Sequence, residues 1–367
     1  MRTVCKKNVC NGCMGCIEKC PKKCINVKDE IKFFNAYVDE KECINCGLCS
    51  RVCPNVNNVQ KKRPLAWYQG WIESKERDIS SSGGAAYELM KTFIDLNGYV
   101  ASCLFEQGKF IFCITNKKED LNKFRGSKYV KSNPQIIYKK IMTLLQNDEK
   151  VLFIGLPCQV AALNNYLGKD VQNLYTVDLI CHGTPSSKVL NIFLNEYGID
   201  IEKINEISFR KKNDFRITIN GENLTEKKVR DFYTYSFLTC LIYTENCYFC
   251  KYASIERVSD ITIGDSWGSS LPNIEQEKGI SLILCQSKKG KELLNKTKLL
   301  LLDVDIEVAV ESNHQLRQPS KMPTKRDVFF DNLEKGFNKA FLRSEPKFYY
   351  KQKIKEILYK NRKHTSF

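Results

Sequence analysis

Two stretches in the first sixty residues repeat one spacing of cysteine and proline. CNGCMGCIEKCP supplies Cys10, Cys13, Cys16 and Cys20 followed by Pro21, and CINCGLCSRVCP supplies Cys43, Cys46, Cys49 and Cys53 followed by Pro54. Few folds can satisfy such a pair of runs. A short loop wraps three thiols round one centre, and the fourth, carried past a turn of helix, reaches a second centre. The runs therefore interleave: Cys10, Cys13, Cys16 and Cys53 form one set, and Cys43, Cys46, Cys49 and Cys20 the other. Gly12, Gly15 and Gly47 let backbone N–H groups approach the sulfurs, and the prolines turn the chain away after the last thiol. The spacing is that of cubane [4Fe–4S] ligation, and duplicated runs of this length argue against zinc. Cys5 and Cys24 fall outside the pattern and receive no ligand role.

Over residues 5–58 the segment resembles a bacterial two-[4Fe–4S] ferredoxin, a module that relays electrons and needs a recipient. The chain has eighteen cysteines but only three histidines among 367 residues, and 43% of it is hydrophobic. That length supports one large domain besides the small one. No apolar run approaches the roughly 18 residues of a membrane span, and the opening MRTVCKKNVC has no apolar segment of a signal peptide. A cytoplasmic chain is expected, in which cysteines serve metal or redox chemistry rather than disulfides. NVQKKRPLAWYQG, broken by Pro64, reads as a linker.

Beyond it the pattern is mixed α and β. KVLFIG reads as a buried strand, followed by a turn and a helix in LPCQVAALNNYLG; LYTVDLIC reads as a second strand, followed by HGTPSSKVLNIFLNEYG, a helix with Thr184 as cap and Pro185 in its first turn. Cys158 and Cys181 thus stand just beyond the carboxyl ends of neighbouring strands, where open α/β sheets bind ligands. With the distant CxxC pair, Cys247 and Cys250, they make a candidate third four-cysteine site. The same sulfurs would also suit a structural zinc. Cys103, Cys113, Cys240 and Cys285, inside apolar runs, are expected to be small buried hydrophobes.

Neither a GxGxxG turn nor a GxxxxGK[ST] loop occurs. Three other stretches suit a phosphate or a flat ring. In SSSGGAAYELMKTFIDLNGY, Ser81, Ser82, Gly83 and Gly84 lie ahead of an apolar helical face. In FRGSKYVKS, Gly126, Ser127, Lys128 and Tyr129 combine a flexible backbone, a hydroxyl and a cation. In SDITIGDSWG a strand ends in Gly264 and Asp265, with Trp267 able to lie against a ring. Taken singly, each of the three could be an ordinary loop, turn or strand end.

SSGG, GSKYV, GLPCQ, CHGTPS, the late CxxC and DITIGDSWG, in this order over about residues 66–310, resemble the beta-subunit family of coenzyme F420 hydrogenases and dehydrogenases, which includes 7-hydroxymethyl chlorophyll a reductases. The resemblance implies bound FAD, with a [4Fe–4S] cluster beside it on Cys158, Cys181, Cys247 and Cys250. It implies an iron–sulfur flavoprotein that couples three clusters to hydride transfer, to or from coenzyme F420 or another small organic substrate. His182 and Asp265 are the candidates for proton delivery. The expected fold class is α+β: a ferredoxin-like domain over 1–62, a larger mixed α/β FAD domain over 66–310, and a basic, largely helical tail over 311–367.

From Lys321 to Phe367 there are thirteen Lys or Arg against five Asp or Glu, within a net charge of +16. This reads as a solvated tail helix, or as a dock for an acidic redox partner such as ferredoxin or flavodoxin, or for a membrane surface. Two rival functions are an electron-transfer subunit serving a separate catalytic subunit, and a zinc-dependent nucleic-acid binder. The second leaves the duplicated C–P runs unexplained, and no nucleic-acid partner is expected.

Overall fold

The computed structural model describes residues 2–168 and 171–364; Met1 and 365–367, at the outer ends of the first and last expected units, lie outside them. In the amino-terminal unit two antiparallel strands, β1 (Ile25–Asp29) and β2 (Phe34–Val38), join two short helices, Gly15–Lys19 and Leu48–Val52. Each helix begins just after a left-handed residue inside a cysteine run, Met14 in one and Gly47 in the other.

The large unit is built on one eight-stranded sheet. Its strands are β3 (Ala66–Ile72), β4 (Tyr99–Glu106), β5 (Lys109–Thr115), β6 (Val151–Gly155) and β7 (Leu174–Leu179), then, past a small three-stranded sheet of β8 (Ile207–Ser208), β9 (Thr218–Ile219) and β10 (Glu222–Asn223), β11 (Ile261–Asp265), β12 (Ser281–Cys285) and β13 (Leu299–Leu302). The order is β13-β3-β12-β11-β7-β6-β4-β5. The centre, β11-β7-β6-β4, is parallel, and the flanks are antiparallel. All five residues of β6 are buried, as a parallel strand covered on both faces requires. The three central strands β6, β7 and β11 release their carboxyl ends side by side, at Cys158, Cys181 and Asp265.

Several local expectations need correction. The end of the supposed linker, from Ala66 to Gly70, belongs to β3 of the main sheet, which pairs with both β12 and β13. The helix after β7 is Ser187–Asn195, capped by the Ser186 hydroxyl, which accepts from the Lys188 N–H; Thr184 and Pro185 precede the cap. Of the four cysteines expected to be buried, Cys285 is fully so, but Cys113 is exposed on β5, the edge strand. The basic tail is not a solvated appendage. Phe329, Phe330, Phe337 and Phe341, from its helices Arg326–Asn332 and Phe337–Ser344, are buried in a core shared with Phe193, Phe209 and Tyr233. Phe348 of the last helix, Pro346–His364, stacks on Tyr235 with ring centroids 3.6 Å apart. Sequence charge marked this segment as surface, but its aromatic residues decide its place.

The two units share one apolar core. Cys10, Cys13, Cys16 and Cys53 are buried in the same cluster as Tyr138, Val160, Ala162 and Tyr166, with Cys158 and Cys250 against it. Gly15 is packed against Val52, Ala162 and Tyr138. The Tyr138 hydroxyl donates to the Cys13 carbonyl (2.9 Å), and Lys19 Nζ to the Tyr166 carbonyl (2.9 Å). Buried Arg326 donates to the carbonyls of both Tyr243 and Lys32, tying the tail helix to the amino-terminal hairpin. No helix among the described residues is long and apolar enough to cross a membrane.

Candidate functional site

Three cavities are each walled by one of the four-cysteine sets. Cys10, Cys13, Cys16 and Cys53 line the first, together with Cys5. Cys20, Cys43, Cys46 and Cys49 line the second, together with Cys24, whose Sγ lies 3.4 Å from that of Cys20. Cys158, Cys181, Cys247 and Cys250 line the third. Cys53 thus lies with the first run and Cys20 with the second, and each ferredoxin-type cavity carries a fifth thiol that the spacing rule did not include. Among the described residues no three ligating side chains converge on a point for a single metal ion.

In the third cavity, Cys158 is the second residue of the helix Pro157–Leu167, which starts with proline where no N–H bond is needed. Gln159 of the same turn accepts from the Leu156 N–H and donates to Ser132 Oγ, fixing the loop after β6. Cys247 lies in the turn Glu245–Phe249, and its sulfur accepts from the Thr184 N–H at 3.4 Å. Arg257, buried and paired with buried Asp178 of β7 at 2.9 Å, donates to the carbonyls of Tyr252 and Ser254. The CxxC loop is thereby clamped to the strand that leads to Cys181.

The electrostatics fit a cationic metal core. Burial pushes the Cys158 thiol up to about 12, with Lys131 pulling the other way and Cys250 and Cys247 adding to the rise. Burial and repulsion from Cys247 and Cys158 also raise Cys181, and burial and Cys247 raise Cys250. In the first cavity, burial raises Cys13 and Cys16, as do neighbouring thiols. Thiols so placed resist ionisation by themselves, whereas coordination deprotonates them outright. The donor sets suit iron–sulfur clusters of the four-cysteine type.

The cavities form a series. Cys46 is exposed at the second, most thiols of the first are buried, and Asn11 lines both the first and the third.

The three phosphate-type loops also converge. Ser81 Oγ accepts from the Ser127 N–H (3.0 Å), and the Ser81 carbonyl accepts from Arg210, whose guanidinium grips Asp265 at 2.8 and 3.1 Å. Arg210 also lies 5.9 Å from the Trp267 ring. Gly84 forms the left-handed start of the helix Ala85–Asp95, while Gly83 is pressed on the Gly70 carbonyl and Ser281, leaving no room for a side chain. Gly264 meets Ile180 in the same way. Ser82 donates to the Ile280 carbonyl at 2.8 Å. Arg77 and Arg125 lie alongside, ion-paired to Glu275 and Glu76, and Lys212 donates to the carbonyls of Arg77 and Ser82. Burial, reinforced by Arg77, lowers Lys212 to about 8.

Three of the expected site residues have protein partners of their own. Lys128 is half-buried, its ammonium donating to the Phe124 and Arg125 carbonyls at 2.7 Å, and desolvation lowers it to about 8; in this arrangement it closes the end of a helix. Tyr129 stacks on Phe237 at 4.0 Å, and burial raises its hydroxyl to about 12. Asp265 is held by Arg210 rather than free. His182 lines the third cavity; burial and then His314 lower it to about 4, and Gln315 Nε2 lies 2.7 Å from a ring nitrogen of each histidine. Arg210, Lys212, Lys131 and Arg257 carried no sequence signal beyond being basic.

Residues 148–301 match the carboxyl-terminal part of the coenzyme F420 hydrogenase/dehydrogenase beta subunit, and residues 9–57 match a 4Fe-4S dicluster domain. The chain is similar to a coenzyme F420-dependent sulfite reductase of Methanocaldococcus jannaschii, with 25% identity over 316 residues, 79% of this chain and 46% of that protein. It thus spans about half the length of that relative. An uncharacterised protein of the same archaeon is 22% identical over 364 residues, which cover 87% of this chain and 95% of the relative. A ferredoxin of Streptomyces griseus is 33% identical over 76 residues, 20% of this chain and 68% of that protein. Among solved structures, a chain of the F420-reducing [NiFe] hydrogenase complex from Methanosarcina barkeri aligns over 76% of this chain and 97% of its own length, at 18% identity and a TM-score of 0.44.

Proposed function

We propose, for a chain that belongs to the coenzyme F420 hydrogenase/dehydrogenase beta-subunit family and carries a 4Fe-4S dicluster domain at its amino end, that it is an iron–sulfur flavoprotein oxidoreductase joining three [4Fe–4S] clusters to FAD. The single observation that supports this best is the placement of all twelve cysteines in three contiguous cavities, four from the spacing of each set. The second cavity, with exposed Cys46, is the entry for electrons, the first is the buried middle, and the third opens towards His182. FAD would be held by the Ser81–Gly84 helix start, the Gly126–Ser127 backbone and the cations Arg77, Arg210 and Lys212, which suit a pyrophosphate. Bound flavin supplies the exchange between one-electron and two-electron chemistry. Arg210 fixes Asp265, and Trp267, 36% exposed, offers a face for a planar group. A small organic hydride partner, coenzyme F420 or another, would meet the protein there.

The coverage of only 46% of the sulfite reductase relative favours a second reading. In it the chain is an electron-transfer unit, and a redox enzyme subunit or domain outside the matched length completes the reaction. Co-purification of a catalytic subunit distinguishes the two.

Anaerobically reconstituted protein should hold about twelve iron and twelve acid-labile sulfide per chain, three four-iron clusters, together with one non-covalent FAD. Cys247→Ser should lower iron by about four while retaining the ferredoxin-type signal. An unchanged iron content, or about eight in the wild type, removes the third cluster from the proposal.

A further inference from the structure

Lys131 is buried, 8% exposed, and lines the third cavity together with Asn11, which also lines the first. Its Nζ donates to the carbonyl of Asn11, next to Cys10, at 3.1 Å, and lies 5.3 Å from the centre of the Phe34 ring. Its stem lies 3.2 Å from where a side chain on Gly12 would begin, inside the first cysteine run. An ammonium has three donors, and one is used here; no carboxylate pairs with it among the described ion pairs. Burial acts to lower its pKa, but Cys247, Cys158, Cys181 and Cys10 outweigh that and raise it. A lone buried cation of this kind is costly unless negative charge faces it, and the facing groups are the thiols of two cluster sites.

We propose that Lys131 is a positioning residue for electron transfer, its fixed positive charge raising the reduction potential of the third cluster and, less strongly, of the first. This rests on the three-cluster reading. A four-thiolate cubane is a net anion and gains one negative charge on reduction, with no proton required. A cation lining the third cavity and tied to Asn11 of the first therefore stabilises the reduced form of each cluster it faces, and burial keeps the effect from being screened by salt. Asn11, whose carbonyl Lys131 holds, lines the first cavity, and neither residue lines the second. The charge would thus draw electrons inward, from the exposed cluster towards the third site.

The test uses full-length reconstituted holoprotein, with iron counted and each cluster followed by a potentiometric titration read by electron paramagnetic resonance. Lys131→Met should keep the iron and lower the third cluster's potential by at least a tenfold change in its reduction equilibrium, about 59 mV for one electron. The first cluster should shift less and the second not at all, and Lys131→Arg should restore the wild-type values. If the third cluster is lost from Lys131→Met but kept in Lys131→Arg, the charge is required still more strongly, and the shift is read on the first cluster. Unmoved potentials in an iron-replete Met variant overturn the proposal, as does loss of the cluster from both variants. Wild-type protein with about eight irons instead overturns the three-cluster reading beneath it, before any variant is made.

Discussion

Arg257 offers a sharp test of how the third site is assembled. Its side chain and that of Asp178 are 1% and 0% exposed, with 2.9 Å between Nη2 and Oδ1. The guanidinium also donates to the carbonyls of Tyr252, Ser254 and Leu179, while Thr262 donates to Asp178 Oδ1 at 2.7 Å. Arg257→Met keeps most of the volume but leaves a sealed carboxylate without its counter-charge and three carbonyls without their donor. Removing one partner of a buried pair costs about 3–5 kcal/mol, a large part of a typical domain stability of roughly 5–15 kcal/mol. The loop carrying Cys250 loses its tie to β7, so the third cluster's iron should be lost preferentially, with the ferredoxin-type iron kept. Urea unfolding of the variant, alongside iron analysis, reads both effects. Adding Asp178→Asn to Arg257→Met should recover about 1 kcal/mol or more, because the orphaned charge is removed. A single variant that loses less than about 1 kcal/mol and keeps all its iron would refute the clamp.

On the proposal that FAD binds beside Lys212, a pH dependence of flavin affinity follows from this lysine. The free amine is charged below about 8 and neutral above it, and an anion holds it charged; affinity should therefore be full below that pH and fall as pH rises through it. Equilibrium titration of FAD against apoprotein checks this, and Lys212→Met should bind more weakly at neutral pH with the dependence gone. Truncation before Pro346 removes the stacks of Phe348 on Tyr235 and Tyr349 on Phe232, 3.6 and 5.1 Å between centroids. It should lower stability by about 1–3 kcal/mol or more, since each aromatic pair contributes roughly 0.5–1.5 kcal/mol beyond its burial; an unchanged urea midpoint would return the segment to the role of a free tail.

The features that could be read from the sequence are those whose constraint is local. The two cysteine runs fix their own loops, so the crossing of Cys20 and Cys53 between cavities was readable from spacing alone. Cys158 and Cys181 were readable because a buried strand announces its own end, and two parallel strands place their ends together. Lys131, Arg210 and Arg257 are different. Each acts across at least 55 residues of chain, on Asn11, Asp265 or Asp178, and a single basic residue leaves no periodic trace. The tail shows the same limit from the opposite side. Its thirteen cations are a strong compositional signal, yet a helix needs only one buried stripe, and four phenylalanines outweigh charges that can point outward.

The docking of the amino-terminal unit was the least predictable feature, and it matters most for function. A ferredoxin module joined by a free linker could exchange electrons with any partner. Here, β3 takes up part of that linker, Gly15 packs on the helix bearing Cys158, and Tyr138 bonds the Cys13 carbonyl. The first cavity is closed against the third, leaving Cys46 of the second exposed. On the three-cluster reading proposed above, this packing would fix the electron route, with exchange at the end that carries exposed Cys46 and the buried cation of Lys131 where the two units meet. The same contacts explain why the third cysteine set, spread over Cys158, Cys181, Cys247 and Cys250, tolerates such distances in sequence: the sheet brings the first two together, and Arg257 holds the last pair against them.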